Sequence, residues 1–124
     1  MSTILFMEDE HALRAVFGEF LRNEGFTVLE AADMTEAVDA CNDYSGQVDL
    51  AIVDIKSGTR LAKRLAERYP QMSVLFIGDS EKHVSTPGLR SSYLRKPFSS
   101  QALLESVHGL IDSGTVASKR ASAR

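Results

Sequence analysis

The chain has 124 residues, enough for one domain around a single buried core, and its 44% hydrophobic and 25% charged residues are ordinary for a globular protein. A formal net charge of -3 offers no general basis for holding nucleic acid, which needs clustered Lys and Arg. Apolar runs of about five residues fall far short of the roughly twenty that span a bilayer, the N-terminus carries no signal-like pattern, and Cys41 has no second cysteine to bridge to, so a cytoplasmic domain with no membrane attachment is expected.

In chain order, Thr3 to Met7 is a short β-prone run. Leu13, Val16, Phe17, Phe20 and Leu21 then recur at helical spacing and mark one buried face of a helix closed by Gly25. Thr27-Val28-Leu29 reads as a second strand, and Thr35 to about Tyr44 as a helix burying Ala37, Val38 and Cys41. Leu50 to Val53 is continuously apolar, as a central parallel strand covered on both faces should be. Leu61, Ala62 and Leu65 mark a third helix ending before Pro70; Ser73 to Ile77 is a fourth strand and Ser92 to Leu94 a short fifth. Leu103, Leu104, Val107, Leu110 and Ile111 form the face of a last helix. Strands alternating with helices predict right-handed βαβ units around a parallel sheet.

Two stretches break the pattern. Between Asp79 and Ser91 a Pro87-Gly88 pair interrupts a segment without apolar periodicity, so a fourth helix is expected to be short, irregular or absent. From Asp112 the chain turns small, polar and basic, which predicts a domain over residues 1–111 and a disordered tail or linker remnant over 112–124.

Three apolar runs end on charged residues: Leu5-Phe6-Met7 on Glu8-Asp9, Ala51-Ile52-Val53 on Asp54, and Tyr93-Leu94 on Arg95-Lys96-Pro97. Ligands of open α/β sheets bind outside the carboxyl ends of the strands, so these ends are the place for chemistry. A dinucleotide site would need a glycine-rich turn after the first strand, where this chain has Glu8-Asp9-Glu10. Two carboxylates about 4 Å apart repel by about 4 kcal/mol at an effective dielectric near 20, and a divalent ion would relieve that strain. Oxygen donors favour a hard cation such as Mg²⁺, beside which one carboxylate can act as a nucleophile toward a phosphoryl group while Lys96 neutralises its oxygens.

Glu8-Asp9 after the first strand, Asp54 after the third and Lys96-Pro97 after the fifth resemble the receiver domain of two-component response regulators. The likeness runs from about Thr3 to Ile111, and it is the order and spacing of the motifs together that make it specific. It implies a flavodoxin-like (βα)5 doubly wound α/β fold, with a five-stranded parallel sheet in the order 2-1-3-4-5. It further implies Asp54 as phosphoacceptor, Asp9 as the main Mg²⁺ ligand with Glu8 beside it, the backbone carbonyl of Lys56 as a further ligand, and Lys96 as the phosphoryl-contacting lysine. By the same likeness the Lys96-Pro97 bond is cis and Tyr93 is the aromatic switch residue. A sensor histidine kinase or histidine phosphotransferase would be the donor, with a downstream protein regulated and a homodimer among the assemblies open to it. The run Leu94 to Ser99 is loosely similar to receivers of hybrid kinases.

This chain departs from the family pattern twice. Only Ile55-Lys56-Ser57 separate Asp54 from Gly58, about four residues fewer than usual, and Gly78 stands where the family has the hydroxyl of Ser or Thr, with Ser80 as a nearby substitute. These departures motivate an alternative, a pseudo-receiver that binds partners without phosphorylation. Residue by residue there are plainer roles: Glu8 to Glu10 as an acidic cluster at a helix N-terminus, Asp54 as a cap on the next turn, Tyr93 as packing. A third reading, an aspartyl phosphatase, lacks the second Asp of an Asp-x-Asp motif, since this chain has Asp54-Ile55-Lys56.

Overall fold

The computed structural model of the chain describes residues 2–79 and 90–123. Five strands, β1 (Thr3–Met7), β2 (Thr27–Ala31), β3 (Leu50–Asp54), β4 (Ser73–Gly78) and β5 (Ser91–Arg95), alternate with helices α1 (His11–Asn23), α2 (Met34–Asp43), α3 (Ile55–Arg68) and α4 (Ser100–Ala123). The strands form one parallel sheet in the order β2-β1-β3-β4-β5. Residues 80–89, where a short or irregular fourth helix and Ser80 are expected, lie outside the described residues.

Alternation along the strands divides the core into two layers. Leu5, Met7, Ala51, Val53, Val74 and Phe76 face one layer, covered by Ala37 and Cys41 of α2 and Leu61, Ala62 and Leu65 of α3. Ile4, Phe6, Leu50, Ile52, Leu75 and Ile77 face the other, covered by Leu21 of α1 and Leu103, Val107 and Leu110 of α4. Strands β1, β3 and β4 are buried on both sides, which explains their unbroken apolar sequence.

One expectation is corrected. Val16, read as part of the buried face of α1, is 61% exposed; the helix turns Leu13, Phe17 and Phe20 toward the core, and Val16 falls at the edge of that arc. The backbone of α4 runs from Ser100 to Ala123.

Local signals place the helix starts beside the strand ends. Asp33 caps α2 by accepting the Glu36 N–H at 2.8 Å, while Glu36 Oε1 reaches back to accept the N–H of Ala32, the residue before the cap, at 2.9 Å. Ser99 caps α4, its hydroxyl accepting the Ala102 N–H at 3.0 Å. Asp54 is both the last residue of β3 and the cap of α3, with Oδ1 accepting the Lys56 N–H at 2.9 Å.

Candidate phosphoacceptor and metal site

The parallel register sets the carboxyl ends of β1, β3 and β5 along one edge. Met7 pairs with Val53, so Glu8 and Asp54 leave adjacent strands at the same level, and Gly78 pairs with Arg95 just before Lys96. The Lys96 N–H extends the ladder by one bond, donating to the Gly78 carbonyl at 2.7 Å. The Lys96-Pro97 peptide is cis.

Glu8, Asp9 and Asp54 each bring a carboxylate oxygen within 4.8 Å of the others. Lys96 closes the cluster, with Nζ 2.7 Å from Glu8 Oε1 and 3.3 Å from Asp54 Oδ2. The Glu8 side chain is wholly buried; its Oε2 accepts the Glu10 N–H at 3.0 Å, and its carbonyl accepts from Arg14 Nη1 at 2.6 Å. The acidic edge opens into a cleft of about 440 Å³ bounded also by Asp33, Met34 and Lys56.

The charges differ in their standing. Burial raises the Glu8 carboxyl above its ordinary range, although Lys96 and the Glu10 amide pull the other way. Asp9, which is exposed, is lowered by its contact with Glu8 and by the positive charge of Lys96. Burial opposes the charge on Lys96, but Glu8 and Asp54 outweigh it and hold the ammonium above its ordinary value. Of the Glu8-Asp9 pair, the buried Glu8 is thus the more readily protonated and Asp9, at the mouth of the cleft, the more readily ionised. Three oxygen donors with one face open to water suit Mg²⁺, which keeps several waters and takes few carboxylates.

Because α3 begins directly after Asp54, Lys56 lies in its first turn. Its amide donates to Asp54 Oδ1 at 2.9 Å. The missing loop also accounts for two glycines. A Cβ on Gly58 would lie 2.5 Å from Val53 Cγ2, so only glycine lets α3 start this close to β3. A Cβ on Gly78 would lie 2.7 Å from Ile55 Cγ2 and 3.1 Å from the Tyr93 hydroxyl. Ile55 thus occupies the space that a Ser or Thr side chain would need, and the two departures from the family pattern are one packing solution. Sequence reasoning missed Ile55 altogether; the signal was the combination of a short segment after Asp54 with glycine at position 78.

Residues 4–108 match the family described as the response regulator receiver domain. The chain belongs to this family. The sensor kinase CckA of Brucella abortus (strain 2308) is 28% identical over 119 residues, covering 90% of this chain and 13% of the kinase. The transcriptional regulatory protein CpxR of Escherichia coli (strain K12) is 26% identical over 118 residues, covering 90% of this chain and 50% of the regulator. The chain thus spans half or less of these curated relatives. Among solved structures, the receiver domain of the hybrid histidine kinase CckA is 34% identical with a TM-score of 0.76, covering 89% of this chain and 99% of that one. A response regulator receiver protein from Sinorhizobium medicae WSM419 is 26% identical with a TM-score of 0.76, covering 91% and 96%.

Receiver domains are regulatory modules of two-component phosphorelay signalling, working with histidine kinases and downstream effectors, and they generally bind Mg²⁺. The strand order and the acidic edge of this receiver domain agree with that class. Among the described residues, no helix is long and apolar enough to cross a membrane.

Proposed function

We propose that this receiver domain accepts a phosphoryl group on Asp54 from the phosphohistidine of a histidine kinase or phosphotransferase and passes the change to a downstream protein. The observation that carries the proposal is the convergence of Glu8, Asp9 and Asp54 oxygens within 4.8 Å, with Lys96 3.3 Å from Asp54. In the transfer, an Asp54 oxygen forms the new O–P bond as the N–P bond of the donor breaks, and the imidazole leaves with the electron pair. Glu8, Asp9 and Asp54 would hold Mg²⁺, which supplies neutralisation of the phosphoryl oxygens when bound. Lys96, already shared between Glu8 and Asp54, turns its ammonium to the same charge. The Lys56 amide fixes the Asp54 carboxylate, and the positive end of α3 favours the extra negative charge of the product.

The test uses phosphoramidate as a small donor, with and without Mg²⁺, and separation on a phosphate-binding gel. A labile adduct that requires Mg²⁺ and is absent from Asp54→Asn is expected; an adduct that persists in Asp54→Asn overturns the assignment. A second reading, a partner-binding module independent of phosphorylation, draws on Ile55 filling the place of the family hydroxyl beside Gly78. It predicts the same partner affinity for wild type and Asp54→Asn, with or without donor.

A further inference from the structure

Helix α3 carries Lys56, Arg60, Lys63, Arg64 and Arg68 against the single acid Glu67, on a chain whose net charge is -3. Arg68 is used within the fold, donating to Asn42 Oδ1 at 2.6 Å and to the Cys41 carbonyl at 3.0 Å. Lys56, Arg60 and Lys63 are exposed, and none of them makes an ion pair among the described residues. Their i, i+4, i+7 spacing puts them on one helix face, over an axial length of about 10 Å. With Thr59 and with Met34 from the start of α2, they line a groove of about 570 Å³. Like charges at i, i+4 oppose the helix that carries them, and Lys56 and Arg60 are such a pair.

We propose that this groove docks an acidic helical segment of a partner protein, with carboxylates repeated at i, i+4 and i+7 and an aliphatic side chain between them. The three cations match that repeat, and the thioether and methyl of Met34 give an adaptable apolar contact at the groove end. A phosphate polymer fits less well. Among its described lining residues the groove has no aromatic side chain on which a base could stack. The surface goes beyond phosphoryl transfer at Asp54 and does not depend on it.

The test is a titration of the ¹⁵N-labelled full chain with a helical peptide of about 16 residues carrying glutamate at i, i+4 and i+7, in about 50 mM salt. A glutamine version of the peptide and inorganic triphosphate are run beside it. Chemical-shift changes confined to Met34, Lys56, Thr59, Arg60, Lys63 and their neighbours are expected. Arg60→Glu with Lys63→Glu should weaken binding by at least roughly tenfold, with an unchanged circular dichroism spectrum because both side chains are exposed. Equal binding of the glutamine peptide, shifts that map elsewhere, tighter binding of triphosphate, or an unaltered affinity in the charge-reversed protein would each overturn the proposal.

Discussion

Ile55 Cγ2 lies 2.7 Å from the point where a Cβ on Gly78 would stand, so these two residues share one volume at the edge of the sheet. Gly78→Thr, which restores the side chain usual in the family, is therefore expected to destabilise the fold by about 1–3 kcal/mol through overpacking. Ile55→Ala removes the obstructing methyl groups at its own packing cost. In urea unfolding, the double variant should lose at least about 1 kcal/mol less than the two single losses added together. Additive losses would show that Ile55 and Gly78 do not compete for that space.

Lys96 neutralises a carboxylate that has no access to water. The Glu8 side chain is 0% exposed, with Lys96 Nζ at 2.7 Å. Lys96→Met should cost about 2–3 kcal/mol at neutral pH, because a buried charge is left unpaired, and adding Glu8→Gln should restore at least about 1 kcal/mol. The pH dependence has a definite sign. Burial already raises the Glu8 carboxyl in the folded chain, and losing Lys96 removes a stabiliser of its charged form. A carboxyl raised on folding favours the folded state at low pH and loses that contribution as pH rises through its folded value. The deficit of Lys96→Met should accordingly shrink as pH is lowered toward about 5.

Asp54 has a structural duty beside its proposed chemical one, since its Oδ1 caps α3 through the Lys56 N–H at 2.9 Å. Asparagine retains a capping oxygen and alanine does not. Asp54→Asn should stay within about 0.5 kcal/mol of wild type in denaturant unfolding, whereas Asp54→Ala should fall about 1 kcal/mol below Asp54→Asn. Both should fail to form the phosphoryl adduct. Equal stability of the two variants would mean that the cap contributes nothing measurable.

What could be read in the sequence followed from periodicity and punctuation. The run Thr3 to Met7 is β1 to the residue, because a central parallel strand is apolar on both faces. Glu8, Asp9, Asp54 and Lys96 were legible because a parallel sheet sends all its strand ends to one edge. The start of α3 was not. Its apolar signal begins at Leu61, and nothing in Ile55-Lys56-Ser57 announces a helix beginning immediately after a strand. The consequences at Lys56 and Ile55 were hidden with it, since the contact of Ile55 with position 78 joins residues on different elements. Val16 shows the opposite failure, a residue that fits the helical pattern and still faces water.

Cys41 and Tyr69 give a prediction at alkaline pH. Both lie in the core layer between the sheet and helices α2 and α3. Burial pushes the thiol above its ordinary 9.0 and the phenol above its ordinary 10.0. Each is an acid that the folded chain keeps protonated at a pH where the unfolded chain gives up its proton. Their contribution is thus fully present below the unfolded values and is lost as pH rises from about 9, at up to about 1.4 kcal/mol per pH unit for each proton released on unfolding. Urea unfolding between pH 7 and 10.5 should show this decline. Cys41→Ala should lower stability at every pH by leaving a small cavity, yet flatten the decline by as much as one proton's slope. An unchanged slope in that variant would mean that the Cys41 thiol ionises as readily in the fold as in the open chain.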